Sequence, residues 1–216
     1  MGFKRILEQA NTCDWKHRNW YRDANTYLAT MTEHFTMPLE KVVGICSALS
    51  PSCGWKQNVQ DTYRFIRSNG KYKGCVTYGP QVVKAHRILR LKKRFNEIPD
   101  ILHGPKTVAF YNALMSPSSN GDPVIDTHMV KAYLNDPKID SGDKIIKALL
   151  KPNKVVEMQG EIRELAAECN INIHSCQAII WSTWKRITGN RIDSNALPIW
   201  ESLLNAPYIQ EGLFVN

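Results

Sequence analysis

Two side chains near the middle of the chain could together carry out covalent chemistry on a nucleotide. Lys106 stands on a Gly-Pro-Lys-Thr turn, and Asp126 opens an Asp-Thr-His helix start. A lysine amine is a nucleophile only when it is neutral, which requires partial burial or neighbouring positive charge. An ionised carboxylate can stabilise positive charge on a sugar, or orient an amine or a water. We therefore predict that Lys106 and Asp126 form a catalytic pair that processes bases in DNA.

The segments that flank the pair predict how it is positioned. Gly104 and Pro105 fix the backbone before Lys106, and the apolar residues that follow predict a packed helix. Asp126 follows an apolar Pro-Val-Ile stretch and is expected to cap a helix while facing the same groove. Taken alone, the lysine could be solvated and the aspartate could be a cap without chemistry.

A basic segment precedes this region and predicts contact with phosphates. Residues 82–94 contain six Lys or Arg residues and no acidic residue. Lys84, Arg87, Arg90 and Arg94 fall in one sector of a predicted helix over 80–95, and apolar residues occupy another. A solvated helix face is the alternative, although such faces usually mix both signs of charge.

Composition limits the class of protein. The chain has 216 residues, 43% of them apolar, and a formal charge of +8, which favours a polyanionic partner. It contains neither a stretch of roughly 20 apolar residues nor a signal peptide, so no membrane association and a cytoplasmic location are expected. Its six cysteines form no Cys-x-x-Cys pair, which argues against a zinc ribbon or a disulfide scaffold, and no metal site is expected.

Helical periodicity dominates the sequence and predicts an all-α protein of about eight to ten helices. The segment 38–50 is apolar almost all round, as expected of a buried central helix. A Ser-Pro-Ser-Cys-Gly loop separates it from the amphipathic segment 55–68. The predicted helices are 20–34, 38–50, 55–68, 80–95, 105–115, 126–135, 141–150, 154–169 and 173–188.

Three blocks, in order along the chain, resemble the helix-hairpin-helix (HhH-GPD) superfamily of DNA glycosylases, which includes endonuclease III and 8-oxoguanine glycosylase. VVGICSALSPSCGWKQN (42–58) is similar to the buried helix and the loop that reaches into the opened duplex. YGPQVVKAHRIL (78–89) is similar to the helix that leads to the hairpin. LHGPKTVAFYNAL (102–114) with VIDTHM (124–129) is similar to the family's Gly-x-Lys-Thr-Ala and Val-Asp-Thr-His elements.

The resemblance implies two helical lobes with a DNA-binding cleft between them, into which the target nucleotide is flipped. We expect one lobe at 36–135 and a second formed by 1–35 with 136–216. The resemblance implies that Lys106 attacks the sugar C1′ and forms a Schiff base, with Asp126 as the catalytic aspartate. Expected contacts to DNA are Ser50, Pro51 and Ser52 in the gap left by the flipped base, and His103, Gly104 and Thr107 on the phosphate-binding hairpin. Residues expected near the base are Asn58, Asn112, Gln177 and Trp181.

Two departures from the superfamily matter. The hairpin is shortened to Leu-His-Gly, and a four-cysteine loop is missing, so neither an iron-sulfur cluster nor another cofactor is expected. The short hairpin and the QAIIW helix (177–181) resemble a bacteriophage branch that makes hypermodified thymines. That branch implies an amino acid:DNA transferase, in which a free amino acid replaces pyrophosphate on activated 5-hydroxymethyl-uracil.

Three functions are therefore left open by the sequence. In base excision, Lys106 attacks as a neutral amine; in transfer, it holds pyrophosphate as a cation while Asp126 positions the incoming amine. The third function is non-catalytic DNA binding. In each case we expect a monomer that binds double-stranded DNA, in the host cytoplasm if a phage encodes it.

Overall fold

The structure, a computed structural model, describes residues 2–190. All regular secondary structure in these residues is helical. This confirms the all-α prediction for that part of the chain. Two 3₁₀ helices cover Lys16–Asn19 and Phe95–Glu97. The α-helices are α1 (Lys4–Leu7), α2 (Thr12–Trp15), α3 (Trp20–Phe35), α4 (Leu39–Leu49), α5 (Trp55–Arg67), α6 (Gly79–Arg90), α7 (Ile98–Leu102), α8 (Pro105–Met115), α9 (Thr127–Leu134), α10 (Lys144–Leu149), α11 (Pro152–Glu168) and α12 (Ile173–Ile187).

Each of the nine predicted helical segments contains a helix, and three further helices were not predicted. These three, α1, α2 and α7, have only four or five residues each. Hydrophobic periodicity needs a window of about 11 residues to be recognised, so helices of this length leave no signal.

The prediction of one continuous basic helix over 80–95 is wrong at its C-terminal end. α6 ends at Arg90, and Arg94 adopts a left-handed conformation (φ 62°, ψ 49°). The ammonium of Lys41 donates hydrogen bonds to the carbonyl oxygens of Leu89 (2.7 Å) and Leu91 (3.0 Å), which stabilises this helix end. Arg94 therefore leaves the predicted sector and pairs with Glu97 instead (3.4 Å).

The first hydrophobic core surrounds α4. Every residue of Val42–Leu49 is buried, and α4 contacts α3, α5, α6, α7 and α8. This confirms the prediction of a buried central helix. The close approach depends on Gly44, where an added Cβ would lie 2.9 Å from a methyl carbon of Ile98.

The second core joins the N-terminal residues to the later helices. Phe3 and Ile6 are fully buried there, together with side chains from α9, α10, α11 and α12. The guanidinium of Arg186 on α12 also binds the buried carboxylate of Asp14 (2.8 Å), which ties α2 to the last described helix. The second core is therefore formed by residues from both ends of the described chain.

The predicted lobes, 36–135 and 1–35 with 136–216, stay a prediction. The two hydrophobic cores do not follow the bounds of these lobes. α3, from the predicted second lobe, packs into the first core, and α9, from the predicted first lobe, packs into the second core. Residues 191–216 of the predicted second lobe lie outside the described residues. Within 2–190, none of the helices is both long and apolar enough to cross a membrane.

Candidate active site

The turn before α8 places Lys106 at the start of an 11-residue helix. Gly104 is the residue before this helix and has no side chain to cap it, so the first-turn N–H groups have no side-chain partner. The turn is held from outside by Lys84, whose ammonium donates to the carbonyl oxygen of Leu102 at 2.6 Å. Lys106 itself is half-buried. Lys106 is thus fixed at a helix N-terminus that the hydrogen bond from Lys84 stabilises.

Asp126 is the N-cap of α9, as predicted. Its Oδ1 accepts a hydrogen bond from the backbone N–H of Met129 at 2.8 Å, and the side chain is half-buried. The two residues before it point into different cores, Val124 into the first and Ile125 into the second. Alternation of this kind is characteristic of extended backbone. Asp126 therefore begins α9 at the junction of the two cores.

Two buried glutamines hold the segment that leads to Asp126. The side-chain amide of Gln177 accepts from the N–H of Val124 (2.9 Å) and donates to its carbonyl oxygen (3.0 Å). Gln159 donates from Nε2 to the carbonyl oxygen of Pro123 (2.9 Å). Since an extended buried segment has no helix to satisfy its backbone, these amides supply the missing partners. They fix the position from which Asp126 projects.

Lys106 and Asp126 are brought to the same region. Lys106 lines a pocket of about 200 Å³ together with Ile125, the residue directly before Asp126. Both charges also act on the imidazole of His128. Charges interact appreciably only within about a Debye length, roughly 10 Å. Lys106 and Asp126 therefore lie in the same region of the molecule, both near His128.

His128 is held in its neutral form. Burial is the main cause that lowers the pKa of His128, and Asp126 opposes this effect. The ammonium groups of Lys185, Lys131 and Lys106 lower the pKa further. Because the ordinary pKa of histidine is about 6.5, the ring is neutral at pH 7 and can accept a proton. His128 adds a possible base to the predicted pair.

Four half-buried aromatic side chains lie beside this region, and we call them the aromatic cluster. Its centre is Trp20 on α3, whose ring centroid is 5.0 Å from that of Trp55, 6.3 Å from that of Phe110 and 6.3 Å from that of Trp181. Phe110 lies one helical turn after Lys106. The ammonium of Lys185 lies 5.4 Å from the centroid of Trp181. Half-buried rings of this kind can stack with a planar ligand.

One family model matches almost all of the described chain. Residues 4–188 match the family described as "Family of unknown function (DUF7178)". The chain belongs to the DUF7178 family. The match runs from α1 to the end of α12, so it includes both cores and the junction that carries Asp126. No curated protein and no solved structure matches the chain.

The structure of this DUF7178 protein separates the four residues predicted near the base. Asn58 is 1% exposed inside the first core, where its Nδ2 donates to Cys46 Sγ at 3.3 Å. Asn112 is exposed, and both ends of the Gln177 amide are engaged by Val124. Only Trp181 belongs to the aromatic cluster. Gln177 thus positions the site and does not offer a free amide.

The residues predicted to contact DNA are mostly accessible. Arg87 and Arg90 are exposed on α6, whereas the ammonium of Lys84 is engaged at the hairpin. Ser50 and Pro51 are half-buried, and Ser50 Oγ donates to the carbonyl oxygen of Ser47 at 2.9 Å. Further along, Ser52 and His103 are exposed with left-handed φ angles of 60° and 43°, Gly104 is half-buried and Thr107 is buried.

Sequence reasoning missed Trp20, Phe110, His128 and Gln159 as members of this site. Trp20 and Phe110 occupy apolar positions of periodic helices, where an aromatic residue most often belongs to a core. Gln159 lies on α11, and its contact with Pro123 crosses 36 positions of sequence. His128 was visible within the Asp-Thr-His motif. The other three depend on contacts that periodicity cannot reveal.

A second histidine predicts how the stability of the DUF7178 protein depends on pH. His174 is 1% exposed, neither ring nitrogen has a partner among the described residues, and burial lowers its pKa despite the opposing charge of Asp122. The unfolded chain then binds a proton near pH 6.5 that the folded chain does not, so stability falls as pH decreases below 6.5. The expected slope is about 1.4 kcal/mol per pH unit for each such histidine.

Urea unfolding between pH 5 and pH 7.5 tests this dependence. His174→Phe keeps an aromatic ring but cannot bind the proton, so its stability should vary less with pH than that of the wild type. His128 contributes in the same direction and remains in the variant. An equal pH dependence in both proteins would contradict the assignment to His174.

Proposed function

We propose that this protein processes a base in double-stranded DNA. The target nucleotide leaves the duplex, its base stacks on the aromatic cluster, and its sugar lies between Lys106 and Asp126. The observation that supports the proposal is that Lys106 and Asp126 both lie near His128, with Phe110 of the aromatic cluster one helical turn after Lys106. An enzyme that acts on a base must accommodate it outside the stack, and stacking between aromatic side chains meets that need.

In base excision, Lys106 acts as the nucleophile. Its neutral amine attacks C1′ while the bond between C1′ and the base breaks, and the base leaves with the bonding electrons and takes up a proton. The carboxylate of Asp126 stabilises the positive charge that develops on the sugar. Opening of the sugar ring then converts the C1′–N linkage into a Schiff base.

Amino acid transfer is the second candidate, and the pocket beside Lys106 favours it. Transfer needs room for a second small substrate, and the pocket has a volume of about 200 Å³. The incoming amine forms a bond to the 5-methylene carbon of the modified uracil as the bond to pyrophosphate breaks. Pyrophosphate leaves with the electron pair, held by the Lys106 cation, and Asp126 takes up the proton of the amine.

One assay separates these reactions. Duplex DNA containing thymine, 5-hydroxymethyl-uracil or its pyrophosphate ester is incubated with the protein, with and without glycine, and the nucleosides and free bases are analysed by mass. A released base supports excision, and a heavier nucleoside that requires glycine supports transfer. Borohydride trapping through Lys106 would identify a Schiff base. If neither product forms while DNA is bound, the protein is a non-catalytic DNA-binding module.

The exposed arginines of α6 predict the salt dependence of DNA binding. Arg87→Ala and Arg90→Ala should each weaken binding to all sequences similarly and flatten the plot of log affinity against log salt by about 0.9, one phosphate contact each. Lys147→Ala, at an exposed position of α10, should leave the slope unchanged. Fluorescence anisotropy with duplex DNA at several salt concentrations measures the slope. Slopes equal to the wild type in both arginine variants would remove α6 from the interface.

A further inference from the structure

The pocket beside Lys106 is lined by both polar and apolar side chains. Lys106 and Thr107 line it from the start of α8, and Gln159 lines it from α11. The walls include Ile125, Leu150 and Val155. A volume of about 200 Å³ corresponds to roughly seven water-sized groups at about 30 Å³ each. The pocket is therefore large enough for a small organic molecule.

The polar groups that line this pocket have unused hydrogen-bonding capacity. Thr107 is only 8% exposed, yet its hydroxyl takes part in none of the hydrogen bonds among residues 2–190. Gln159, also 8% exposed, donates from Nε2 to Pro123, and its Oε1 has no partner in the same part of the chain. The backbone N–H groups of the first turn of α8 lack a side-chain cap. These groups are therefore available to form hydrogen bonds with a ligand that enters the pocket.

The distribution of these groups selects the ligand chemistry. Lys106, the Thr107 hydroxyl and the free N–H groups together favour one anionic group at the end of the pocket nearest α8. A phosphate carries oxygens on every side, and here some of them would face the apolar walls at a desolvation cost. A carboxylate has its charge at one end only, so a short hydrocarbon tail can contact Leu150 and Val155.

We propose that this pocket binds a small monocarboxylic acid with a short apolar tail. The carboxylate lies against Lys106 and Thr107, and the tail lies against Leu150 and Val155. If the molecule also carries an amino group, Gln159 Oε1 can accept a hydrogen bond from it. Binding of the acid requires no DNA, and only its use as the amine donor of the transfer reaction rests on the proposed function.

Calorimetric titration of the full-length protein without DNA tests the proposal. Isovalerate and L-valine share the same tail, whereas isopentylamine lacks the carboxylate and inorganic phosphate lacks the tail. We expect at least one of the two acids to bind with a Kd of about 1 mM or tighter, and the amine and phosphate at least tenfold more weakly. If L-valine binds more tightly than isovalerate, the pocket also recognises the amino group. Failure of both acids to bind, or equal binding of phosphate, would overturn the proposal.

Matched variants locate the binding site. Thr107→Val keeps the shape of the side chain but removes the hydroxyl. It should weaken binding of the acid at least fivefold. Val155→Trp fills the pocket, while Val156→Trp places the same ring at an adjacent position that is 62% exposed. Acid binding should be lost in Val155→Trp and retained in Val156→Trp. Circular dichroism confirms folding, and the conservative Thr107 variant keeps the test valid if Val155→Trp does not fold.

Loss of acid binding and loss of DNA chemistry are distinguishable. If the acid binds but no base is processed, the proposed function fails and the pocket assignment stands. If a base is released but neither acid binds, the pocket assignment fails and excision stands.

Discussion

Asp126→Asn is expected to lower the rate of base processing by about 100-fold to 1,000-fold while leaving the stability of the protein almost unchanged. Asparagine caps a helix about as well as aspartate, so the hydrogen bond from the Met129 N–H (2.8 Å) is kept. What the variant loses is the negative charge that, in the proposed reaction, faces the sugar. Removal of one electrostatic partner of a transition state usually costs a factor of this size.

The chain offers a matched control for this substitution. Asp143 caps α10 by accepting from the N–H of Ile145, two residues on, at 2.8 Å, and Asp126 caps α9 by accepting from the N–H three residues on. Asp143→Asn makes the same chemical change at an exposed turn and should leave the rate unchanged. Single-turnover kinetics and urea unfolding of both variants provide the measurements. Equal rates in the two variants would mean that Asp126 is a cap only.

Among substitutions of glutamine by leucine, Gln177→Leu is expected to lower the free energy of unfolding the most, by about 3 kcal/mol. Leucine is similar in size but cannot bond to Val124, so one buried N–H and one buried carbonyl lose their partner together. Each unsatisfied buried group costs about 1–3 kcal/mol. Gln159→Leu removes only the bond to Pro123, and should cost about half as much.

A glutamine at the surface provides the control, because the same Gln→Leu change there removes no buried hydrogen bond. Gln9 donates to the carbonyl oxygen of Arg5 at 3.0 Å in an exposed setting, where water can replace the amide. Gln9→Leu should therefore change the free energy of unfolding by less than about 0.5 kcal/mol. Urea titration gives all three values. If Gln177→Leu were as mild as Gln9→Leu, the two glutamines would not hold the segment before Asp126.

The same substitution links stability to the site. Gln177→Leu loosens the segment that carries Asp126, so the folded variant should also process bases more slowly. Gln177→Glu retains an acceptor for the Val124 N–H and should recover part of the stability. This pattern would identify Gln177 as a positioning residue, in contrast to the base contact that the sequence predicted for it.

Local sequence determined the helices of this protein and several details of the site. The nine predicted segments contain helices because their apolar residues repeat at helical spacing, which is a property of each segment alone. Asp126 caps its helix as predicted because capping involves neighbours three residues apart. The burial of α4 followed from its nearly continuous apolar surface. Each of these predictions depends on contacts within one turn or one helix.

Tertiary structure decided which side chains face the site. Gln177 and Val124 are 53 positions apart, and no periodicity indicates that the amide would bond to the backbone there. Lys41 ends α6 through a contact across 48 positions, which is why the basic helix is shorter than predicted. The aromatic cluster likewise assembles from α3, α5, α8 and α12. Such contacts depend on how helices pack, whereas sequence patterns report only which face of each helix is apolar.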